Sequence, residues 1–216
     1  MISNLGGTRH HHNGLIFYFI PPYLIPIDSC DIDPEGSSPA PFNRGNPRGS
    51  AIVEFNPKQL QTVNEAVATA EELVSNHYKL SANQWLNRKY DVKTAVDLID
   101  DEVIEGPFAQ VIRYEGRVPS DPLNSSNFDF YKICLQDHNI LRTLQATPQL
   151  TLFPFTLYIV THELIHIVRF SQFLQNFEAS NEERLSEEKR VHDKTHEILC
   201  PLKIDGLAAV LNYYAR

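Results

Sequence analysis

His162-Glu163-Leu164-Ile165-His166 decides how the chain is read. The five residues lie inside Leu150 to Phe177, where Phe153, Phe155, Leu157, Tyr158, Ile159, Val160, Ile167, Val168, Phe170, Phe173, Leu174 and Phe177 surround them. These apolar residues fall on every side of a helical wheel, which predicts a helix buried in the core. Two histidines four residues apart on such a helix leave one face a turn apart, so both imidazoles can reach the same metal ion. Burying two imidazoles and a carboxylate without partners is costly, and a cation satisfies all three at once.

The pattern is HExxH, and at this point the sequence resembles the zincin metallopeptidases. The resemblance implies that His162 and His166 bind Zn2+ and that Glu163 acts on water at the metal. It further implies an α+β fold, with a small mixed sheet packed on the buried HExxH helix and a following helix that carries a ligand. A strand just upstream of the motif implies, by the same resemblance, a sheet edge that holds an extended substrate.

Two histidines leave a catalytic zinc short of its usual three protein ligands. A third histidine six residues past the second is absent, since Ile167, Val168, Arg169, Phe170, Ser171 and Gln172 follow His166. A later helix, about Asn181 to Leu199, instead resembles the gluzincin arrangement, in which a glutamate on the next helix completes the set. Leu185, Glu188, Val191, His192, Thr195, Ile198 and Leu199 recur at spacings of three and four and so form one inward face. Glu188 is the acidic residue on that face and is the expected third ligand. Glu187, about 100° round the helix from it, is an alternative. His192, one turn later on the same face, either binds the metal itself or orients a ligand.

The resemblance implies a zinc-dependent peptidase acting on a peptide or protein substrate. In that scheme Glu163 removes a proton from water and passes it to the leaving amine. The developing oxyanion needs a further donor, for which Arg169, His192 and His138 are candidates. Arg169 serves equally as the counter-charge of a buried carboxylate such as Glu187. Asp137 and His138 themselves read as turn residues.

Length and composition bound the rest. The chain has 216 residues with 42% hydrophobic and 21% charged content, which is ordinary for a globular protein and enough for a sizeable core. A formal charge of -8 without clustered Lys and Arg argues against nucleic acid as a partner. Cys30, Cys134 and Cys200 are widely spaced and suggest neither a disulfide framework nor a zinc knuckle, so a reducing, cytoplasmic setting is expected. Gly14 to Ile27 is too short to span a bilayer, and its prolines Pro21, Pro22 and Pro26 speak against a signal segment, which leaves export open.

Two regions are expected. Residues 1–50 carry a strand at Leu15 to Ile20 and an arm rich in Pro and Gly, and residues 51–216 form the zincin-like domain. His10-His11-His12 reads as a solvated tail. Ala51 to Phe55 suggests a short strand. Asn56 followed by Pro57 starts an amphipathic helix to about Tyr78. A second helical stretch is expected over about Ala82 to Asp100, with Asp91 capping its latter part and Trp85 as a packing anchor. Strands follow at Phe108 to Tyr114 and Phe128 to Leu135, then a segment Asp137 to Leu144 that suits strand or helix. The motif helix opens at Thr147 or near Pro154, and a short helix, Asp205 to Tyr214, closes the chain.

Two rival readings differ in kind. One is a zincin-like domain that binds metal and a partner without turnover, and the other is a helical interaction protein in which the motif is accidental.

Overall fold

The computed structural model describes residues 15–18, 53–81, 89–117, 127–172 and 180–215. The chain is an α+β fold in which helices pack on a four-stranded mixed sheet. Its first helix, α1 (Pro57–His77), begins where the sequence says it should. The Asn56 side chain accepts the Lys58 and Gln59 amides at 3.0 Å each, and Gln59 accepts the Asn56 amide at 2.9 Å. Pro57 occupies the first helical position, where it has no amide to waste. Val63, Ala66, Ala70 and Val74 form its buried stripe, and the two alanines let it lie close against the motif helix.

The strands β1 (Leu15–Tyr18), β2 (Lys89–Lys93), β3 (Ala109–Arg117) and β4 (Asn127–Leu135) are ordered β1-β3-β4-β2. β1 and β4 run antiparallel to β3, with Leu15 opposite Arg113 and Ala109 opposite Leu135. β2 runs parallel to β4, with Val92 opposite Ile133. The strand expected in the N-terminal region is thus built into the sheet of the main domain. The remainder of the arm, with His10 to His12 and Cys30, lies outside the described residues, as does Trp85.

Three expectations are corrected. The helix expected over Ala82 to Asp100 is, within its described part, strand β2 followed by 3-10 turns at Ala95–Asp97 and Asp100–Glu102. Pairing with β4 supplies Tyr90 and Val92 with a ladder, and Asp91 lies within the strand, bridged to Lys93 at 3.0 Å, instead of capping a helix. Val53 to Phe55 joins no strand, because the Phe55 amide is taken by Asp137 Oδ2 at 2.9 Å. Lastly, the strand nearest the motif, β4, is interior to the sheet and not an edge, and among the described residues β1 and β2 are the outer strands.

The ambiguous segment is a helix, α2 (Asp137–Ala146). Asp137 is buried because it ties three segments together, accepting from Phe55 on one oxygen and from Ala95 on the other at 3.1 Å. Burial raises its pKa against those backbone hydrogen bonds. His138 contacts the Ile104 carbonyl through Nε2 at 3.1 Å.

One face of the sheet carries the helices. Tyr131, Ile133 and Leu135 of β4 are buried there, with Tyr131 stacked on Phe170. The other face is crossed by the segment after β2. Glu102, 4% exposed, accepts from Lys132 at 2.6 and 2.8 Å and from Tyr114 at 3.0 Å, while its carbonyl accepts from Gln110 and Gln136. This second cover explains why Phe108 to Ile112 are buried on both sides instead of alternating.

The motif helix α3 (Leu152–Ser171) starts between the two points expected. Pro154 falls in its first turn, where an amide would have no helical partner, so the helix continues through it. Every residue from Pro154 to Val168 is buried, and so is Phe170. Two more helices, α4 (Asn181–Leu199) and α5 (Leu207–Tyr214), complete the layer. None of the described helices is long and apolar enough to cross a membrane.

Gly206 at the start of α5 has φ 81°, and a Cβ there would stand 2.8 Å from Thr151 Oγ1 and 3.3 Å from Pro154 Cγ. Gly206→Ala should therefore cost on the order of 2 kcal/mol, lowering the melting temperature by roughly 4–8 °C in a thermal scan.

Glu102 gives a pH signature. Burial pushes its pKa up, but the Lys132, Ile99 and Tyr114 hydrogen bonds outweigh this and hold it below the ordinary carboxylate value. A group lowered on folding stabilises the fold above its unfolded pKa, and the contribution disappears as pH falls through the folded one. Glu102→Gln should lose on the order of 3 kcal/mol at neutral pH. In urea titrations its deficit against the parent should shrink once pH falls below the ordinary glutamate value and close as pH passes the lower folded one.

Candidate metal centre

The register of α3 and the antiparallel approach of α4 assemble the centre. His162 Nε2 and His166 Nε2 stand 3.1 Å apart. Across from them, Glu188 places Oε2 3.2 Å from His162 Nε2 and Oε1 3.1 Å from His166 Nε2. The four residues His162, Glu163, His166 and Glu188 are 0%, 1%, 1% and 3% exposed. The structure therefore brings the three expected ligands into one triangle.

The edges of that triangle test the fit of a cation. A tetrahedral zinc with bonds of about 2.0–2.1 Å separates its ligand atoms by roughly 3.3 Å, close to the spacing found here. The donor chemistry agrees. Burial lowers the His162 pKa to about 3, aided by neighbouring His192, so its ring is neutral at physiological pH as a ligand must be. Burial would raise Glu188, but His166 and His162 prevail and hold it well below the carboxylate range. One carboxylate and two imidazoles are thus poised around a single point, and His162, His166 and Glu188 fit a divalent cation.

Glu163 differs from Glu188 because it lacks such partners. Its Oε1 is buried without a hydrogen bond, and burial raises its pKa to about 8. A cation nearby reverses that logic and favours the carboxylate.

The remaining candidates separate by geometry. Glu187 faces Arg169, whose Nε donates to it, and Arg190, which donates at 2.5 Å. It is therefore neutralised away from the triangle, and Arg169 is its counter-charge. His192 lies beside the triangle, its ring 4.5 Å from that of His162 and its Nδ1 2.8 Å from the Tyr158 hydroxyl. Ligand atoms of His162, Glu188 and His192 all lie within 4.8 Å of one another, a looser set that shares two members with the tighter one. His138 is engaged at Ile104, and His196 is exposed.

Leu185 is a further correction. Expected on the inward face of α4, it is 44% exposed. Contacts pair His192 with Tyr158, Glu188 with His162 and His166, and Glu187 with Arg169, so α4 runs towards the C-terminal end of α3 as its numbers fall. Leu185 lies level with the last turn of α3, where the buried face of α4 has already narrowed to Glu187 and Glu188.

Tyr158 and Tyr214 escaped the sequence reading. Tyr158 holds His192 and stacks on Tyr214 with ring centres 4.0 Å apart. A signal existed, since Tyr158, His162, His166 and Phe170 succeed one another every four residues and so line one face of α3. Nothing in the sequence marked Tyr214.

No protein-family model, curated protein or solved structure matches the chain.

After dialysis against zinc, elemental analysis of the full chain should find one equivalent. Glu188→Ala should weaken binding beyond the roughly 10–100-fold typical of losing an outer-sphere partner. Replacing the exposed His196 by alanine should leave it unchanged.

Proposed function

We propose that the chain is a zinc-dependent peptidase with a zincin-like architecture, hydrolysing amide bonds of a peptide or protein substrate in the cytoplasm. The observation that carries this reading is the buried triangle of His162, His166 and Glu188, drawn from two helices, with Glu163 next to it in the chain. Zinc held there supplies Lewis acidity for the scissile carbonyl and makes the attacking water more acidic.

The chain's own groups do the rest. Glu163 accepts the proton of the attacking water and delivers it to the leaving amine. A buried Oε1 without a hydrogen bond suits this, because the proton affinity of Glu163 is set by burial and by the neighbouring His166 and Glu188. His192, steadied by Tyr158, is the polar ring beside the triangle and serves as donor to the developing oxyanion.

Burial of the whole group favours a second reading. With Glu163 only 1% exposed, the same residues suit a metal-binding domain without turnover.

Glu163→Gln separates the two. For a hydrolase the variant keeps its zinc while cleavage of a broad peptide library falls by about 100-fold or more. A zinc-loaded parent that cleaves nothing supports the second reading, and a parent without bound zinc overturns both.

A further inference from the structure

Among the described side chains from 182 to 190, only Glu187 and Glu188 are buried, and apolar anchoring of α4 begins at Val191. The first half of this helix thus docks on α3 through two adjacent carboxylates and no buried apolar side chain. Two buried neighbours of like charge repel each other and resist docking unless each meets partners that offset its burial. Glu188 meets the histidine pair, and Glu187 meets Arg169, 13% exposed, with Arg190 supporting it from α4 itself at 57%. Tyr78 at the end of α1 stands beside Arg169 and Glu187, so the contact sits where three helices meet.

The register gives the contact its significance. Arg169 follows His162 by seven residues, two turns along nearly the same face of α3, so one stripe of α3 engages both carboxylates. Glu187 and Glu188 project about 100° apart around α4. The second half of α4 is anchored from Val191 onward, but a first half held at Glu188 alone can still twist about the helix axis and swing that carboxylate off the histidines. A second attachment at a different angle removes the twist.

We infer that Arg169 is a positioning residue for Glu188: by gripping Glu187 it fixes the axial rotation of α4 and keeps the Glu188 carboxylate between His162 and His166. This rests on the metal-centre reading above. Arg169 touches neither metal nor substrate in this role and acts only through Glu187.

The test measures zinc affinity of the full chain by competition with a chromophoric chelator, alongside urea stability of the metal-free protein. Arg169→Met should weaken zinc binding about 10–100-fold, and Arg169→Lys should recover part of it. Arg190→Met, which removes the exposed partner of the same carboxylate, should change affinity by less than about twofold.

The double variant Arg169→Met with Glu187→Gln decides between positioning and mere charge balance. Removing both partners relieves the unpaired buried charge, so stability should return towards that of the parent. Affinity should stay low, because the grip is gone. Affinity that recovers with stability, or an Arg169→Met variant that binds zinc like the parent, overturns the inference. Should Arg169→Met fail to fold, the zinc affinity of the double variant alone decides between the two. A parent that binds no zinc instead removes the metal centre itself, a distinct result from a parent that binds zinc and variants that do so equally well.

Discussion

The meeting of His162, His166 and Glu188 is the constraint on which the rest of the architecture turns. Helix α3 is apolar around its whole circumference and buried for four turns, and in its middle stand two imidazoles and a carboxylate. Polar groups in such a place must be partnered or the fold loses what the apolar burial gains. The partner arrives on α4, an otherwise hydrophilic helix whose buried side chains begin with Glu187 and Glu188. Sheet, α1 and α5 then close the remaining sides of α3, with small Ala66 and Ala70 at the α1 crossing and Phe155 and Tyr158 against the tyrosines of α5.

The polar residues away from the centre perform a different task. Glu102, Lys132, Gln136 and Asp137 secure the irregular segment between β2 and β3 to the face of the sheet opposite the helices. This segment has no regular ladder of its own, so side chains from β4 and the start of α2 accept and donate on its behalf. The arrangement buries the last residues of β4, Ile133 to Leu135, on both faces beneath α3.

What could be read from the sequence follows from how local each cause is. The motif helix, the cap at Asn56 and the turning of Glu188, and not Glu187, towards the two histidines depend on periodicity and on neighbours within a few residues, and all were legible. Strand β2 was not, because Lys89 to Lys93 gains its conformation from β4, forty residues downstream, and its own residues tolerate a helix. The interior position of β4 depends on the same non-local pairing. Leu185 misled because a helical wheel says which residues share a face but not how much of that face a neighbour covers. The periodicity puts His192 on the same face as Glu188, and it does lie beside His162, yet the hydroxyl that orients it comes from Tyr158, on another helix.

The two halves of the architecture differ greatly in the loops they close. His162 and Glu188 are separated by 26 residues, so the centre is assembled from one hairpin of helices. Strand β1 reaches β3 with Leu15 opposite Arg113, across most of the first half of the chain. Loop-closure entropy grows with that separation, and pairings that span it are slow to form. The helical hairpin can therefore condense on its own contacts before the outermost strand joins the sheet. The helical hairpin that holds the buried histidines and Glu188 is thus the topologically simple part, and the sheet is the part whose completion costs the longer search.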